Sequence, residues 1–182
     1  MMRAAAAPLR PEPDSGGVAS LVERAQRGDR AALAEIYAVY RRTVRGILLS
    51  RVPRVEVDDL VQDVFVTAME RLASLRDPAA FPAWLAAITR NRATDCLRGS
   101  KPMTPLVVDL PVADVDRTEA LLVLAAIQSL PEAYSETLTL RLVEGMTGPE
   151  ISARTGLTEG SVRVNLHRGM KLLREKLERT LA

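Results

Sequence analysis

The sequence predicts an all-α protein with two small helical domains that are joined by an extended, proline-rich linker. Apolar residues recur at steps of three or four along several stretches, which is the period of an amphipathic helix. No stretch alternates apolar and polar residues convincingly, as a half-buried strand would. Three prolines fall between residues 100 and 116, where the helical period is absent, so this segment is interpreted as the linker.

The first domain is predicted over residues 18–99, after a tail (1–17) whose prolines, glycines and alanines indicate disorder. Amphipathic stretches form its helices, and glycine or proline separates them. Their predicted ranges are 18–27, 30–52, 57–75 and 83–98. Asp29 is expected to cap the second helix, because its side-chain oxygen can accept hydrogen bonds from free backbone N–H groups.

Two of these helices carry opposite charge on their exposed sides. The third begins with Asp58 and Asp59 and presents an acidic face, whereas the fourth carries arginines and an asparagine with Asp95 as its one acid. Charged helix faces are often merely solvated, and that alternative stays open for both. Arginine and asparagine are also the side chains that contact phosphate oxygens and base edges. Trp84 is expected in the core rather than as a stacking platform for a base.

The second domain is predicted over residues 117–182, and its main feature is a helix-turn-helix from Thr147 to Arg174. Two helices, 117–129 and 131–143, precede this motif. Thr147 and Glu150 have the spacing of a capping box. Gly156 supplies the positive φ that a helix exit needs, and Thr158 can cap the next helix.

The last helix has an apolar face and a basic face. Its apolar positions are Val162, Leu166, Met170, Leu173 and Leu177. Its basic positions are Arg163, His167, Lys171 and Arg174. Such a helix fits the major groove of B-DNA, with its N-terminal residues at base edges and its cations near phosphates. The alternative is an amphipathic C-terminal helix whose charges are solvated.

The distribution of charge is more informative than the total, which is only +2 over 182 residues. Residues 162–182 contain six Lys or Arg against two Glu, a local charge of +4. Residues 54–63 contain four acids against one Arg, a local charge of −3. A basic tail and an acidic patch suit different partners.

Enzyme chemistry, cofactors and metals are not expected. His167 is the one histidine and no carboxylate three or four residues away orients it, so a catalytic triad is disfavoured. Asp59 and Asp63 share a helix face, but two carboxylates without further ligands are a weak signal for a metal-dependent nuclease. Cys96 is the one cysteine, and no apolar run reaches the length of a membrane span. A cytoplasmic location without membrane insertion is therefore predicted.

Five stretches, in this order, resemble bacterial sigma factors of the sigma-70 family, specifically the compact extracytoplasmic-function (ECF) group. They are AALAEIYAVYRRTV, DDLVQDVFVTAMERL, FPAWLAAITRNRATDCLR, SLPEAYSETLTLRLVEGMTGPEIS and GSVRVNLHRGMKLLREKL. The resemblance implies a region 2-like domain (18–99), a linker (100–116) and a region 4-like domain (117–182). It implies a factor that directs core RNA polymerase to promoters by reading the −35 element as duplex and capturing the opened −10 strand.

The resemblance also implies roles for individual residues. Asp59, Gln62, Asp63 and Glu70 are the residues that would contact the β′ clamp of core polymerase. Contacts with the −10 strand fall to Phe81, Arg90, Asn91, Arg92 and Arg98, beside a base-capturing loop at Asp77–Trp84. Contacts with the −35 duplex fall to Ser161, Arg163, Val164, His167, Arg168 and Lys171. The β flap of the polymerase and an anti-sigma factor are the further partners that the family implies.

The chain departs from the family pattern at Ser152, Thr155 and the pair Val164–Asn165, which affects the expected −35 preference. Two other functions stay open from the residues alone. A free-standing helix-turn-helix regulator would explain the C-terminal motif but leave the acidic helix unused. A metal-dependent nuclease would use Asp59 and Asp63.

Overall fold

The computed structural model describes residues 15–99 and 115–181, and this part of the chain is helical without a strand. The eight α-helices are α1 (Ser15–Gln26), α2 (Arg30–Leu49), α3 (Val57–Arg71), α4 (Phe81–Gly99), α5 (Val115–Gln128), α6 (Glu132–Leu138), α7 (Gly148–Thr155) and α8 (Glu159–Leu181). The all-α prediction is confirmed. Most of the predicted tail and linker lies outside the described residues.

Several predicted helix ends were wrong. The second helix was expected to reach residue 52 but ends at Leu49, and its next residue, Ser50, turns its side chain back to the Ile47 carbonyl. The third was expected to reach residue 75, but its last turn, Leu72–Ser74, is a tighter 3-10 turn. Residues 15–17 were assigned to the tail, and 115 and 116 to the linker, yet they begin α1 and α5.

The expected single helix over 131–143 is in fact α6 followed by a π-helical segment, Thr139–Val143. In this segment Glu144 donates its N–H to the Thr139 carbonyl, five residues back. A π-helical turn admits one extra residue and so shifts the side chains that follow it around the helix axis.

The first half of the chain, α1 to α4, surrounds one apolar core. The cluster is made by residues from all four helices, including Val22, Ile36, Tyr40, Phe65 and Leu85. Asp29 caps α2 as predicted, accepting hydrogen bonds from the backbone N–H groups of Ala31 and Ala32. Arg24 donates to the same carboxylate and lowers the pKa of Asp29, together with the Ala32 N–H.

A second apolar cluster joins the two halves of the chain. Ile47 of α2 and Ala86 of α4 are buried together with Leu140, Met146 and Ile151 of the second half. A third cluster, which includes Ile127, Leu138 and Leu173, holds α5, α6 and α8 together. The two predicted domains therefore pack directly on each other. No described helix has the length and apolar character needed to cross a membrane.

Candidate nucleic-acid interface

Helices α7 and α8 form the predicted helix-turn-helix, and its local signals are confirmed. The Thr147 hydroxyl accepts the Glu150 N–H, and the Glu150 carboxylate accepts the Thr147 N–H at 2.7 Å, which completes the capping box. Gly156 ends α7 with φ +75°. The Thr158 hydroxyl accepts the Ser161 N–H at 3.1 Å and so caps α8. The motif's own sequence thus fixes the start of each helix and the turn between them.

The outer face of α8 is open to solvent. All six residues predicted to contact the −35 duplex are exposed: Ser161, Arg163, Val164, His167, Arg168 and Lys171. The opposite side of the helix is buried through Val162 and Leu173. Val164 is 43% exposed and directly follows the exposed Arg163, so α8 offers both an apolar contact and positive charge at its N-terminal half.

The acidic face of α3 is exposed as well. Asp59, Gln62, Asp63 and Glu70 all reach solvent. Asp63 also forms an ion pair of 3.0 Å with Arg92 of α4, and both side chains are substantially exposed. Exposed pairs of this kind stabilise a fold by little, about 0–1 kcal/mol. A predicted polymerase contact and a predicted DNA contact are thus joined by an ion pair that the sequence did not indicate.

The residues predicted to bind the −10 strand lie in three different environments on α4. Asn91 and Arg98 are exposed. Phe81 is fully buried, with its ring 5.2 Å from that of Tyr40 and 5.8 Å from that of Trp84. Arg90 is half-buried and bound to a carboxylate of the second half of the chain. Trp84 packs against the core, as expected.

Glu136 of α6 is the carboxylate that binds Arg90. The Arg90 Nε and Nη2 atoms donate to its two oxygens at 2.9 and 2.7 Å, and Arg51 of the first half donates at 3.2 Å. Glu136 is only 4% exposed. This hydrogen bond raises the pKa of the Arg90 guanidinium. Two-pronged arginine–carboxylate pairs are strong and directional, so Glu136 fixes the orientation of Arg90.

Further polar contacts cross between the two halves. The buried Glu144 lies 2.7 Å from Arg45 of α2 and 3.7 Å from Arg42. Arg154 of α7 donates to the Val39 carbonyl, with its guanidinium carbon 6.0 Å from the Tyr40 ring centre. Gln128 donates to the carbonyls of Leu49, the last residue of α2, and Val52, in the turn after it. Sequence reasoning missed these contacts, although a glutamate among the buried positions of α6 was a signal that it has a charged partner.

No group of three or more His, Cys, Asp and Glu in residues 15–99 and 115–181 is arranged to hold a metal ion. Asp59 and Asp63 therefore lie without further metal ligands in the part of the chain that the structure describes.

Two family models match the chain. Residues 36–102 match the model described as "Sigma-70 region 2", and residues 120–173 match the model described as "Sigma-70, region 4". Similar proteins include the ECF RNA polymerase sigma-E factors of Haemophilus influenzae and Escherichia coli strain K12. The first is 29% identical over 178 residues, which cover 87% of this chain and 94% of the relative. The second is 30% identical over 185 residues, which cover 87% and 93%.

Solved structures agree with these matches. The structure of CnrH in complex with the cytosolic domain of CnrY has a TM-score of 0.63 and 26% identity, and the alignment covers 91% of this chain and 99% of that one. The sigma factor RpoE of Bartonella quintana, solved with the anti-sigma factor NepR, has a TM-score of 0.53 at 19% identity, with 80% and 96% covered. The similarity to RpoE is evidence of a shared fold.

Proposed function

We propose that this chain, which belongs to the ECF group of the sigma-70 family of bacterial RNA polymerase sigma factors, reads the −35 element as duplex and the −10 element as an opened strand. Members of the family are DNA-binding factors for promoter-specific transcription initiation and are not enzymes. Residues 18–99 act as the domain for core polymerase and the −10 element. Residues 117–182 act as the −35 domain, and 100–116 link the two.

The observation that carries the proposal is the open outer face of α8 on a helix-turn-helix that is capped at both of its helix starts. Arg163 lies one helical turn from the N-terminus of α8, where a recognition helix meets base edges. Arg168 and Lys171 lie further along and supply positive charge for phosphates. Val164 offers an apolar surface of the kind that contacts a thymine methyl group.

The acidic face of α3 is the proposed contact for core polymerase. Asp59, Gln62, Asp63 and Glu70 are exposed, with Asp63 in a surface ion pair with Arg92, and we assign their basic partner surface to the β′ clamp. The second domain is assigned to the β flap. For the −10 strand, Asn91 and Arg98 are directly accessible on α4, while Arg90, Arg92 and Phe81 need a rearrangement first.

An anti-sigma factor is the further partner that we assign. CnrH, a structure with 26% identity to this chain, was solved with the cytosolic domain of CnrY. This chain has two domains, and its surface carries several exposed apolar side chains that could contact such a protein. They include Leu122, Leu142 and Val143.

Run-off transcription on a genomic promoter pool, with purified bacterial core polymerase and the full chain, tests this function. New discrete start sites are expected with the wild type. They should be lost with Arg163→Ala, because this variant removes a cation near the N-terminus of α8, where the helix is proposed to meet the duplex. Arg179→Ala, an exposed arginine on the last turn of the same helix, is the matched control. No new start sites from a chain that binds core would contradict the assigned activity.

Binding to core polymerase is measured separately. Asp63→Asn is expected to weaken binding, because it removes one charge from the acidic face and keeps the shape of the side chain. Glu23→Gln, at an exposed acid on α1, is the control. A wild-type chain that binds duplex DNA tightly but does not bind core would instead indicate a free-standing helix-turn-helix regulator.

A further inference from the structure

An apolar groove lies beside α5, where the two halves of the chain meet. Its lining comes from α2, α5 and the π-helical segment and includes Leu49, Leu121, Val123, Leu124 and Leu142. Its volume is about 390 Å³, within the range of ligand-binding pockets, about 300–1,000 Å³. Val123 and Leu142 are 36% and 47% exposed. This groove, called the α5 groove below, therefore holds apolar surface that the described part of the chain leaves uncovered.

Two arginines of the first half also line the α5 groove. Arg45 is already paired with the buried Glu144. Arg54 is exposed and has no carboxylate partner within residues 15–99 and 115–181. Arginine binds carboxylates through strong, directional hydrogen bonds. The groove therefore suits an apolar segment that carries an acidic side chain.

The sequence contains such a segment shortly before α5. Five of the seven residues from 106 to 112 are leucine or valine, and the other two are Asp109 and Pro111. Segments that stay fully solvated are poor in large apolar residues and rich in polar ones. An apolar stretch between two domains therefore calls for apolar surface to cover it, and the α5 groove lies on the helix that follows it directly.

We propose that residues 105–112 of this chain occupy the α5 groove in the free protein. Their leucine and valine side chains contact its apolar lining, and Asp109 lies beside Arg54. The linker thereby contacts α2 of the first half as well as α5 of the second. This occupancy is a property of the free chain and does not depend on the contacts proposed with promoter DNA or polymerase.

The chain between the segment and α5 is long enough to reach the whole groove. Leu121 and Leu124 lie about 9 and 14 Å along α5 from Val115, at a rise of about 1.5 Å per residue. Residues 109–114 span up to about 20 Å when they are extended. Asp109 can therefore lie at any position along the α5 part of the lining.

The chain on the other side also permits the placement. Gly99, where α4 ends, lies about 14 Å along the helix from Arg90. Arg90 shares Glu136 with Arg51, which closely follows Leu49 of the groove lining. Residues 100–105 span up to about 20 Å, so they can bridge a separation of this order.

Tethering makes a modest affinity sufficient. A segment that is joined to its site by a short chain has an effective concentration in the millimolar range. A dissociation constant of about 1 mM then fills the groove in about half of the molecules. Burial of two or three leucine or valine side chains provides an affinity of at least that order. The segment should therefore occupy the groove in most molecules.

Cysteine alkylation of the full chain measures the occupancy. All variants carry Cys96→Ser, which removes the one native cysteine. Val123→Cys places a thiol in the groove. Leu122→Cys is the matched control, because Leu122 is the adjacent residue of α5, is 56% exposed and does not line the groove.

Each thiol is measured with the natural linker and with a polar linker that combines Leu106→Ser, Val108→Ser and Leu110→Ser. We expect iodoacetamide to modify Val123→Cys faster by about fivefold or more with the polar linker, because the groove is then uncovered in most molecules. Leu122→Cys should change by less than about twofold. Far-ultraviolet circular dichroism checks that the helices are retained. Equal rates for Val123→Cys with both linkers would overturn the proposal.

Disulfide formation identifies the occupant of the groove. A cysteine replaces Val107, Val108 or Leu110 in turn, and each is paired with Val123→Cys or with Leu122→Cys. The two loops differ by one residue, so their closure entropies are nearly equal. At least one pair with Val123→Cys should form an intrachain disulfide about fivefold faster than its control. Equal rates in all three comparisons, or disulfide-linked dimers that indicate a second copy in the groove, would overturn the proposal.

The charge of Asp109 gives an independent check. Asp109→Lys should speed alkylation of Val123→Cys by up to about fivefold, the range expected for an exposed ion pair. Arg54→Glu alone should have a similar effect. The two substitutions together recreate a pair of opposite charges and should restore the slow rate. A double variant that reacts as fast as either single variant would overturn the placement of Asp109 beside Arg54.

Discussion

The Gly156–Ala83 contact gives a prediction about stability that can be worked from the structure. Gly156→Ala has two effects. The first is strain, because φ is +75° at this position and a left-handed backbone costs an L-residue about 1–2 kcal/mol. The second is a clash, because the new Cβ would lie 2.5 Å from the Ala83 Cβ of the other half. Overpacking of this kind costs about 1–3 kcal/mol.

A double-mutant cycle separates the two effects. In the Ala83→Gly background the clash partner is absent, so Gly156→Ala should cost only the strain, about 1–2 kcal/mol. In the wild-type background it should cost about 1–3 kcal/mol more. The difference is the coupling energy between residues in different halves of the chain, and the helix-propensity effect of Ala83→Gly cancels in the cycle.

The assay is urea unfolding followed by far-ultraviolet circular dichroism, with all four proteins measured at one pH. The clash can be relieved if the halves separate, so the coupling energy cannot exceed the free energy that holds them together. The cycle thus also measures a lower limit for that free energy. An equal cost of Gly156→Ala in both backgrounds would refute the contact and with it the described arrangement of the halves.

Three further predictions concern local features. Thr147→Ala should destabilise the second half by about 1 kcal/mol in urea unfolding, since it removes the N-cap of α7, and a cost near zero would contradict the capping role. The Thr147 N–H lowers the pKa of Glu150 below its ordinary value of 4.5, so this carboxylate contributes stability above the unfolded pKa that is lost as pH falls through the folded one. In Glu150→Gln the free energy of unfolding should therefore fall less steeply as the pH is lowered below about 4.5. An unchanged pH dependence in that range would exclude this contribution. Burial raises the pKa of Tyr40 to about 12, and its buried hydroxyl has no hydrogen-bond partner within residues 15–99 and 115–181, so Tyr40→Phe should leave the free energy of unfolding unchanged or raise it by about 1 kcal/mol. A large loss of stability in Tyr40→Phe would show that the hydroxyl has a bonding role.

Local features of this fold could be read from the sequence because each is encoded within a few residues. The Asp29 cap, the capping box at Thr147 and the positive φ of Gly156 all depend on neighbours no more than three positions away. The helix-turn-helix followed from them. Its exposed face on α8 was also predictable, because the apolar positions of that helix fix which side is buried.

Contacts between the halves could not be read in this way. Glu136 and Arg90 are separated by 46 positions, and helical period says which side of each helix is buried but not which helix covers it. The π-helical segment adds to the difficulty. It turns Leu140 and Glu144 toward α2 through a hydrogen-bond pattern that no residue type signals. Arg90 is half-buried because α6 covers it, and the sequence did not indicate that contact. Asn91 beside it is exposed, as the helical pattern indicates.

The burial of Glu136 has a consequence for how the chain responds to ionic strength. Salt screens exposed charges over about 10 Å at 0.1 M, but it acts much less on a carboxylate that is 4% exposed. Binding to DNA phosphates, in contrast, weakens steeply as salt rises, because bound counterions must be released. The Arg90–Glu136 pair should therefore persist at salt concentrations that weaken a contact between an exposed arginine of α8 and a DNA phosphate.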